Sequence, residues 1–315
     1  MSNTKNIGNT NPLVSVVFSA YKMERYPYIL KAIETISKQT YRNFETIIVI
    51  DGNKELYSIL SRLNNQNGNK WKDDIKLKIL KNEKRGGPSV ARNMGISASH
   101  GDIIVITDDD VYVSPEWLEK IVNSFDEDVL MVGGKILPDY EKGASSLPEE
   151  VLWIVGCTYR GHPTERQKVR NVISANMAFR KNLFDVISFE PSYKGDWRMS
   201  DTLIGIRANE YMPGSVVYDP ESVVYHNVPK ERTTLYYFAK RSYTEGFLKA
   251  FLKAKSTDQN LYNYESKYLT TMLYSVVKYV STFHLRYALI NCIVLMSVGA
   301  GFSMGSLSRI YREKV

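Results

Sequence analysis

Short apolar runs alternate with amphipathic segments over the first 135 residues of the chain. The apolar runs predict β-strands, because they are rich in Val, Ile and Phe and are bounded by polar turns. They cover residues 13–19, 44–50, 75–80, 103–107 and 129–132. Between them, apolar residues recur at helical spacing, as at Ile29, Ile33 and Ile36. This alternation predicts an α/β fold in which helices cover both faces of a mostly parallel sheet.

Chemically distinctive residues follow three of the predicted strands, and they are Asp51, Gly86, Gly87, Asp108, Asp109 and Asp110. Because the carboxyl ends of parallel strands meet at one edge, we expect these residues to gather where α/β proteins bind ligands. Asp108 and Asp110 can face one site, since alternate residues of an extended segment point the same way. Two such carboxylates suit Mg²⁺ or Mn²⁺. The alternative is a solvated acidic turn that caps the next helix.

The second half of the chain has a different pattern. Strand-like pieces stand out at residues 172–180 and 215–218, and residues 230–255 are basic. Residues 287–307 form an uncharged run that is long enough to span a bilayer. Residues 269–283 are also apolar but contain a lysine, so they are a poorer candidate for a span.

Composition narrows the class of protein. The 315 residues carry a net charge of +7 and have a sequence pI near 9.1, which indicates polyanionic partners. The chain has two cysteines, far apart in sequence, which do not make a disulfide framework. We see no Cys/His metal cluster and no apolar signal core at the N-terminus.

A series of stretches resembles the inverting glycosyltransferases of family 2, which have the GT-A fold. They are VSVVFSAYKMERY, SKQTYRNFETIIVIDGN, RGGPSVARNMGISASHGDIIVITDDDV, SANMAFR, MSDTLIGIR and VVYDPESVVYHNVPKERT. The resemblance implies a Rossmann-like GT-A catalytic domain at residues 12–232, after a disordered N-terminus at 1–11. A basic amphipathic connector at 233–265 and membrane-associated helices at 266–308 would follow. Within the family, HNVPKERTTLYYF and the apolar C-terminus resemble the membrane-bound archaeal glucosyl-dolichyl phosphate glucuronosyltransferases.

The resemblance assigns donor-binding roles to residues at the predicted sheet edge. The nucleotide-sugar would contact Ser19, Tyr21, Asp51, Gly86, Gly87, Arg92, Asp108 and Asp109. Asp51 would contact the nucleoside, and Gly86 and Gly87 would allow phosphate to approach the backbone amides at the start of a helix. For all three residues the alternative is an ordinary turn with no ligand. Arg92 and Asn93 would lie near the nucleoside, unless the arginine is solvated. Asp108, Asp110 and His226 would hold Mg²⁺ or Mn²⁺, with Asp108 reaching ribose or metal; a structural histidine is the alternative for His226.

Asp201 matches the general base that an inverting transfer needs. The family often has an acidic residue where Ser200 stands, so an acceptor contact made by that carboxylate is in doubt. Asp201 could also cap a helix at residues 202–208, and Asp196 is the reserve candidate.

Three further residues have two interpretations each. Lys230 and Arg232 could neutralise the departing diphosphate or could lie in a solvated loop, and Asn176 could face the acceptor or be a buried strand residue.

The basic stretch and the apolar tail predict a protein of the cell membrane. Nucleotide-sugars are usually made in the cytosol, so we expect the catalytic domain to face the cytoplasm. A single span would place Arg309, Arg312 and Lys314 outside, against the positive-inside tendency. Two spans, a helical hairpin or an interfacial arrangement would remove this conflict.

Together these features predict a metal-dependent inverting glycosyltransferase. The donor would be a UDP-sugar, such as UDP-glucuronate or a UDP-hexose, with a GDP-sugar as the alternative. The acceptor would be a lipid-linked glycan on polyprenyl or dolichyl phosphate, and we expect no nucleic-acid partner. The rival functions are a sugar-phosphate nucleotidyltransferase, whose glycine-rich N-terminal signature is absent here, and a catalytically silent sugar-nucleotide-binding protein.

Overall fold

Nine β-strands and eight α-helices form in the parts of the chain that the computed structural model describes, residues 11–65, 75–190, 199–255 and 263–313. The strands are β1 (Val14–Ala20), β2 (Phe44–Asp51), β3 (Lys76–Asn82), β4 (Ile103–Ile106), β5 (Val111–Val113), β6 (Met131–Tyr140), β7 (Gln167–Lys168), β8 (Met177–Arg180) and β9 (Val216–Val228). The helices are α1 (Tyr26–Ser37), α2 (Lys54–Asn65), α3 (Pro88–Ser97), α4 (Trp117–Asn123), α5 (Met199–Tyr211), α6 (Leu235–Lys255), α7 (Asn263–Ser281) and α8 (Leu285–Glu313).

The strands form one mixed sheet in the order β3-β2-β1-β4-β8-β6-β9-β5, and β7 pairs with β9. β1 pairs in parallel with both β2 and β4, and β2 pairs in parallel with β3. The pairs β4–β8, β6–β8, β5–β9 and β7–β9 are antiparallel. The predicted α/β fold is confirmed, and its parallel part is the regular N-terminal half. The later strands pair antiparallel, an arrangement that needs no crossover helix.

Helix α3 packs directly on the parallel strands. β1 and β4 are buried along almost their whole length, as expected for strands that are covered on both faces. A Cβ atom added to Gly95 would lie 2.3 Å from Cγ1 of Val17, so the glycine permits this close approach. Arg92 precedes Gly95 by three residues, so the tight packing also fixes the helix that carries this arginine.

The strands β6 and β9 are longer than the predicted 129–132 and 215–218, and the observed elements also differ from the predicted ones elsewhere. Residues 172–180 were expected to be one strand, but Ser174–Asn176 forms a 3₁₀ turn before β8. The short strand β5 was not predicted. The helix expected at 202–208 is the longer α5, so Asp201 lies in its first turn rather than at its N-cap. The expected disorder at 1–11 lies, except for residue 11, outside the described residues.

Contacts divide the chain into two compact units. The first comprises Met1–Leu137 and Pro163–His226, and the second comprises Pro138–His162 and Asn227–Val315. The division falls in β6 and β9, so it cuts the predicted catalytic domain differently from the boundary at residue 232. Within the second unit, Leu285–Ser308 is a 24-residue stretch of α8 that is long and apolar enough to cross a membrane.

Candidate functional site

The three aspartates lie between β4 and β5, at the carboxyl edge of the parallel strands. Thr107 holds the end of β4 in place, because its hydroxyl donates to the Ala175 carbonyl at 3.0 Å. β5 then pairs antiparallel with β9, and the register sets Val111 opposite His226. This pairing brings His226 beside Asp110, with its Nε2 atom 3.4 Å from Oδ1 of the aspartate.

Asp108, Asp110 and His226 form a group that fits a divalent cation. Each offers one ligand atom, and these atoms all lie within 4.8 Å of one another. Asp110 and His226 are buried, whereas Asp108 is partly exposed. Carboxylate oxygens suit Mg²⁺ and Mn²⁺, and an imidazole nitrogen suits softer transition metals. The donor set therefore fits Mn²⁺ at least as well as Mg²⁺.

Arg25 pairs with two of the three aspartates in this structure, and the sequence patterns did not predict its role. Its Nη1 atom pairs with Oδ1 of Asp109 and lies 3.2 Å from Oδ2 of Asp110. Asp109 is 3% exposed, and burial raises its pKa to about 7 although Arg25 opposes the shift. Asp109 is thus held by an arginine here. The available signal was the position of Arg25 shortly after β1, at the edge where ligands of such sheets bind.

Arg92 joins Asp108 to Asp201. Its Nη1 atom lies 2.7 Å from Oδ1 of Asp201, and its Nη2 atom lies 3.2 Å from Oδ1 of Asp108. The guanidinium group also lies over the Phe189 ring, 5.4 Å from its centroid. Arg92 is 6% exposed, so it is a buried bridge rather than a solvated surface arginine. One side chain thereby links the candidate metal site to the candidate base.

Asp201 lies in the first turn of α5 and retains contact with solvent, since its side chain is 25% exposed. Burial raises the pKa of its carboxyl above the ordinary value, while Arg92 and a hydrogen bond from Ser174 oppose the shift. A raised pKa favours a carboxylate that can take up a proton. Ser200, in contrast, is turned into the protein and accepts a hydrogen bond from Ser89 at 3.1 Å. Ser200 therefore anchors the start of α5.

Asp51 and the two glycines are joined to each other. Asp51 accepts hydrogen bonds from the Gly86 amide on Oδ1 and the Gly87 amide on Oδ2, both at 2.9 Å, and from Nδ2 of Asn82 at 2.8 Å. The expected proximity of these residues is observed. The two amides expected to face phosphate are here engaged by the Asp51 carboxylate.

Tyr21 and Arg85 extend this edge. The Arg85 guanidinium lies 4.2 Å from the centroid of the Tyr21 ring, a cation–π arrangement. Asn53 donates to the Tyr21 carbonyl at 2.9 Å, which ties the end of β1 to the start of α2. Ser19 is half-buried near the end of β1. Arg85 is the first residue of the stretch RGGPSVARNMGISASHGDIIVITDDDV, but that stretch assigned roles to Gly86, Gly87 and Arg92 and none to Arg85.

Other predicted residues have structural roles or lie elsewhere. Asn176 is buried, accepts from Nε1 of Trp117 at 2.9 Å and donates to the carbonyls of Lys135 and Ser222. The Asn93 side-chain amide donates to the Phe189 carbonyl at 2.8 Å and accepts from the Phe189 amide at 3.1 Å. Lys230 and Arg232 belong to the second unit, and Asp196 lies outside the described residues.

Sequence comparison decides the family. Residues 15–188, more than half of the chain, match the profile described as Glycosyl transferase family 2. The chain belongs to this family. This family 2 glycosyltransferase is 29% identical over 315 residues to glucosyl-dolichyl phosphate glucuronosyltransferase of Haloferax volcanii, covering 96% of the chain and 98% of that relative. It is also 33% identical over 178 residues to glycosyltransferase GlyG of Streptococcus pneumoniae, covering 56% of each protein.

Solved structures confirm the GT-A fold of this glycosyltransferase. The mannosyltransferase PcManGT from Pyrobaculum calidifontis, in complex with GDP-Man and Mn²⁺, superposes with a TM-score of 0.60 at 14% identity. The match covers 95% of this chain and 89% of PcManGT. S. aureus TarS matches with a TM-score of 0.51 at 17% identity, covering 73% of this chain and 39% of TarS. The family assignment sets aside the rival function of a nucleotidyltransferase.

Proposed function

We propose that the protein is a metal-dependent inverting glycosyltransferase. It moves a sugar from a nucleotide-sugar, in our assignment a UDP-sugar, to a lipid-linked acceptor on polyprenyl or dolichyl phosphate. The observation that carries this proposal is the Arg92 bridge. It holds the candidate base Asp201 and the candidate metal ligand Asp108 on one guanidinium group, so proton removal and diphosphate binding can occur side by side.

The donor lies along the carboxyl ends of β1 to β4. Tyr21 and Asp51 hold the nucleoside end, where the Asp51 carboxylate is already oriented by the Gly86 and Gly87 amides. Arg92 and the acidic triplet lie at the end of this edge, where the diphosphate binds. Asp108, Asp110 and His226 would hold a Mg²⁺ or Mn²⁺ ion, which when bound would supply Lewis acidity for the departure of the nucleoside diphosphate.

Asp201 removes the proton of the acceptor hydroxyl as that oxygen attacks the anomeric carbon. Its position suits a base, because the side chain is held by Arg92 and Ser174 but remains partly exposed. The arginine keeps the carboxylate ionised and aimed before the acceptor arrives. The proton passes to Asp201, and the sugar leaves the diphosphate with inversion.

The acceptor assignment rests on two features. The Haloferax volcanii relative, similar over almost its whole length, is named for a dolichyl phosphate substrate. The second unit carries a basic helix and an apolar C-terminal helix, which fit a membrane that holds a lipid phosphate. We place the first unit, which carries the candidate site, on the cytoplasmic side of the membrane, where nucleotide-sugars are made.

The test is nucleotide release from a panel of UDP- and GDP-sugars by purified protein with Mn²⁺, with and without polyprenyl phosphate lipids that carry a glycan with free hydroxyls. Lipid-dependent release from one donor is expected, and Asp201→Asn should reduce it by about 10²–10⁴-fold while donor binding persists. Asp185→Asn, on an exposed residue outside the site, is the matched control and should behave as wild type.

Release that persists at the wild-type rate in Asp201→Asn would refute the assigned base. Donor binding without any release, across donors and acceptors, would favour the catalytically silent alternative.

A further inference from the structure

The second unit exposes a set of large apolar side chains on α7, α8 and the turn between them. They are Leu269, Leu273, Tyr274, Val277, Val280, Phe283, Leu285, Leu289, Met296, Phe302, Met304 and Leu307. Leu269, Leu273 and Val277 are four residues apart on α7 and therefore share one face of the helix, and exposed apolar side chains concentrated in this way mark an interaction site.

Phe283, in the turn between α7 and α8, is 86% exposed. It also has a φ of +58°, in the left-handed region that glycine adopts without strain. The turn closes by hydrogen bonds from the Phe283 amide to the Val280 carbonyl and from the His284 amide to the Tyr279 carbonyl. Phe283 gains little stabilisation by packing within its own unit, because most of the residue is exposed.

The exposed charges on α7, α8 and the turn between them are positive between residues 266 and 308, although Glu150 of the same unit accepts hydrogen bonds from Ser275 and Tyr279. The sequence has no Asp or Glu from residue 266 to residue 308. Lys278 on α7 and Arg286 on α8 are exposed and flank the turn. Apolar side chains bordered by cations match the interface of an anionic bilayer, where the chains enter the acyl boundary and the cations meet head groups.

The contact between α6 and α8 bears on whether α8 crosses that bilayer. A Cβ atom added to Gly246 would lie 2.0 Å from the Val298 carbonyl oxygen, and one added to Gly301 would lie 1.9 Å from the Tyr243 carbonyl oxygen. A Cβ on Gly305 would lie 2.6 Å from the Phe247 carbonyl oxygen. The two backbones therefore touch along the C-terminal part of α8.

Helix α6 is charged along the stretch that touches α8. Arg241 pairs with Glu245 at 2.8 Å, Lys240 is exposed, and Lys249 is partly exposed. If α8 crossed a bilayer, the segment from Val298 to Gly305 would lie in hydrocarbon and α6 would have to lie beside it. Placing these four charges at that depth is costly.

We propose that the second unit docks on a single leaflet of an anionic membrane, and that α8 lies on the bilayer without crossing it. The α7–α8 turn enters the interface through Phe283, and Lys278 and Arg286 contact the lipid head groups. This deepens the membrane association assigned under the proposed function. It also removes the conflict with the positive-inside tendency, because both ends of α8 stay on one side.

The first test is flotation with vesicles of phosphatidylglycerol and phosphatidylcholine, compared with phosphatidylcholine alone. Phe283→Gly suits the left-handed backbone and should keep the fold, yet it should weaken binding to anionic vesicles by about tenfold. Val186→Ser, at a 54% exposed apolar residue of the first unit, is the matched control. Binding of Phe283→Gly at wild-type affinity would overturn the assignment of the turn.

The second test compares the sides of the membrane on which two residues lie. Ser58→Cys reports the side of the membrane on which the first unit lies, and Ser308→Cys reports the side on which the apolar stretch ends. Each cysteine is introduced into a Cys157→Ala, Cys292→Ala background. An impermeant maleimide is applied to intact spheroplasts and to opened ones. Docking on one leaflet predicts that both positions react only from the same side, and reaction from opposite sides would overturn it.

The two tests separate this inference from the proposed transfer. If the two cysteines reacted from opposite sides of the membrane, the single-leaflet arrangement would be wrong, but the proposed membrane association and catalysis would still stand. Absence of flotation would remove the docking surface, and the nucleotide-release assay would still report the reaction.

Discussion

Replacing Arg25 by glutamine should strengthen metal binding to the free enzyme. The guanidinium group pairs with both Asp109 and Asp110, and Asp110 belongs to the group of side chains that fits a cation. A metal ion entering this group has to displace, or bind beside, a fixed positive charge. Glutamine keeps much of the length and polarity of the side chain but removes that charge.

The size of the effect follows from the geometry. At 3.2 Å between Arg25 and Asp110, the gross Coulomb attraction is about 5 kcal/mol for an effective dielectric constant of about 20. Desolvation and the partial exposure of Arg25 cancel much of it. If about 1.4 kcal/mol survives, Mn²⁺ should bind the variant about tenfold more tightly.

The assay is a titration of the protein with Mn²⁺ in the absence of donor, in which electron paramagnetic resonance measures the concentration of unbound Mn²⁺. Arg62→Gln, at an exposed arginine of α2, controls for the loss of one positive charge, and Asp110→Asn should abolish the site. Unchanged or weaker Mn²⁺ binding in Arg25→Gln, with the fold intact by circular dichroism, would refute the view that Arg25 competes with metal.

Three further predictions concern other parts of the chain. Arg92→Gln removes a charge that lowers the pKa of Asp201, so the acid limb of the pH profile of kcat/KM should move to higher pH. An acid limb at the wild-type pH would show that Arg92 does not set the pKa of the base. Gly301→Ala would press a Cβ atom against an α6 carbonyl and should lower the free energy of unfolding by about 1–3 kcal/mol. Gly299→Ala is the control, because a Cβ atom there meets open space, and it should leave thermal unfolding unchanged or slightly stabilise the protein. Burial lowers the pKa of His162 to about 4, so its contribution to stability is present above pH 6.5 and is lost as the pH falls towards 4, by at most about 3 kcal/mol. Denaturant unfolding should show a weaker pH dependence in His162→Gln, and an identical dependence would contradict this origin.

The parallel half of the sheet could be predicted from sequence because its signals are local. Runs such as IIVI at β4 are apolar throughout, and each is followed by a helix with regular spacing. β5 has only three residues, and its pairing with β9 depends on a strand more than a hundred positions later. No local pattern could predict that ladder.

The acidic residues of the site could be found from sequence, but their partners could not. Asp108, Asp110 and Asp201 each stand in a recognisable motif, so each could be proposed as a site residue. Arg25 lies within the stretch VSVVFSAYKMERY, but nothing in that stretch assigned it a role, and its pairing with Asp109 follows from the meeting of two strand ends. Ser200 stands where the family often has an acidic residue, so an acceptor contact was in doubt from the sequence, and its hydroxyl is bonded to Ser89.

The central claim is that Asp201 serves as base in an inverting transfer at the edge that carries the acidic triplet. The most direct measurement is the nuclear magnetic resonance spectrum of the glycolipid formed from an α-linked UDP-sugar and a polyprenyl phosphate glycan, whose sugar hydroxyl is the acceptor. A β-linked product from the wild type, with no product from Asp201→Asn at full donor binding, is predicted. An α-linked product, or an undiminished rate in Asp201→Asn, would contradict the account.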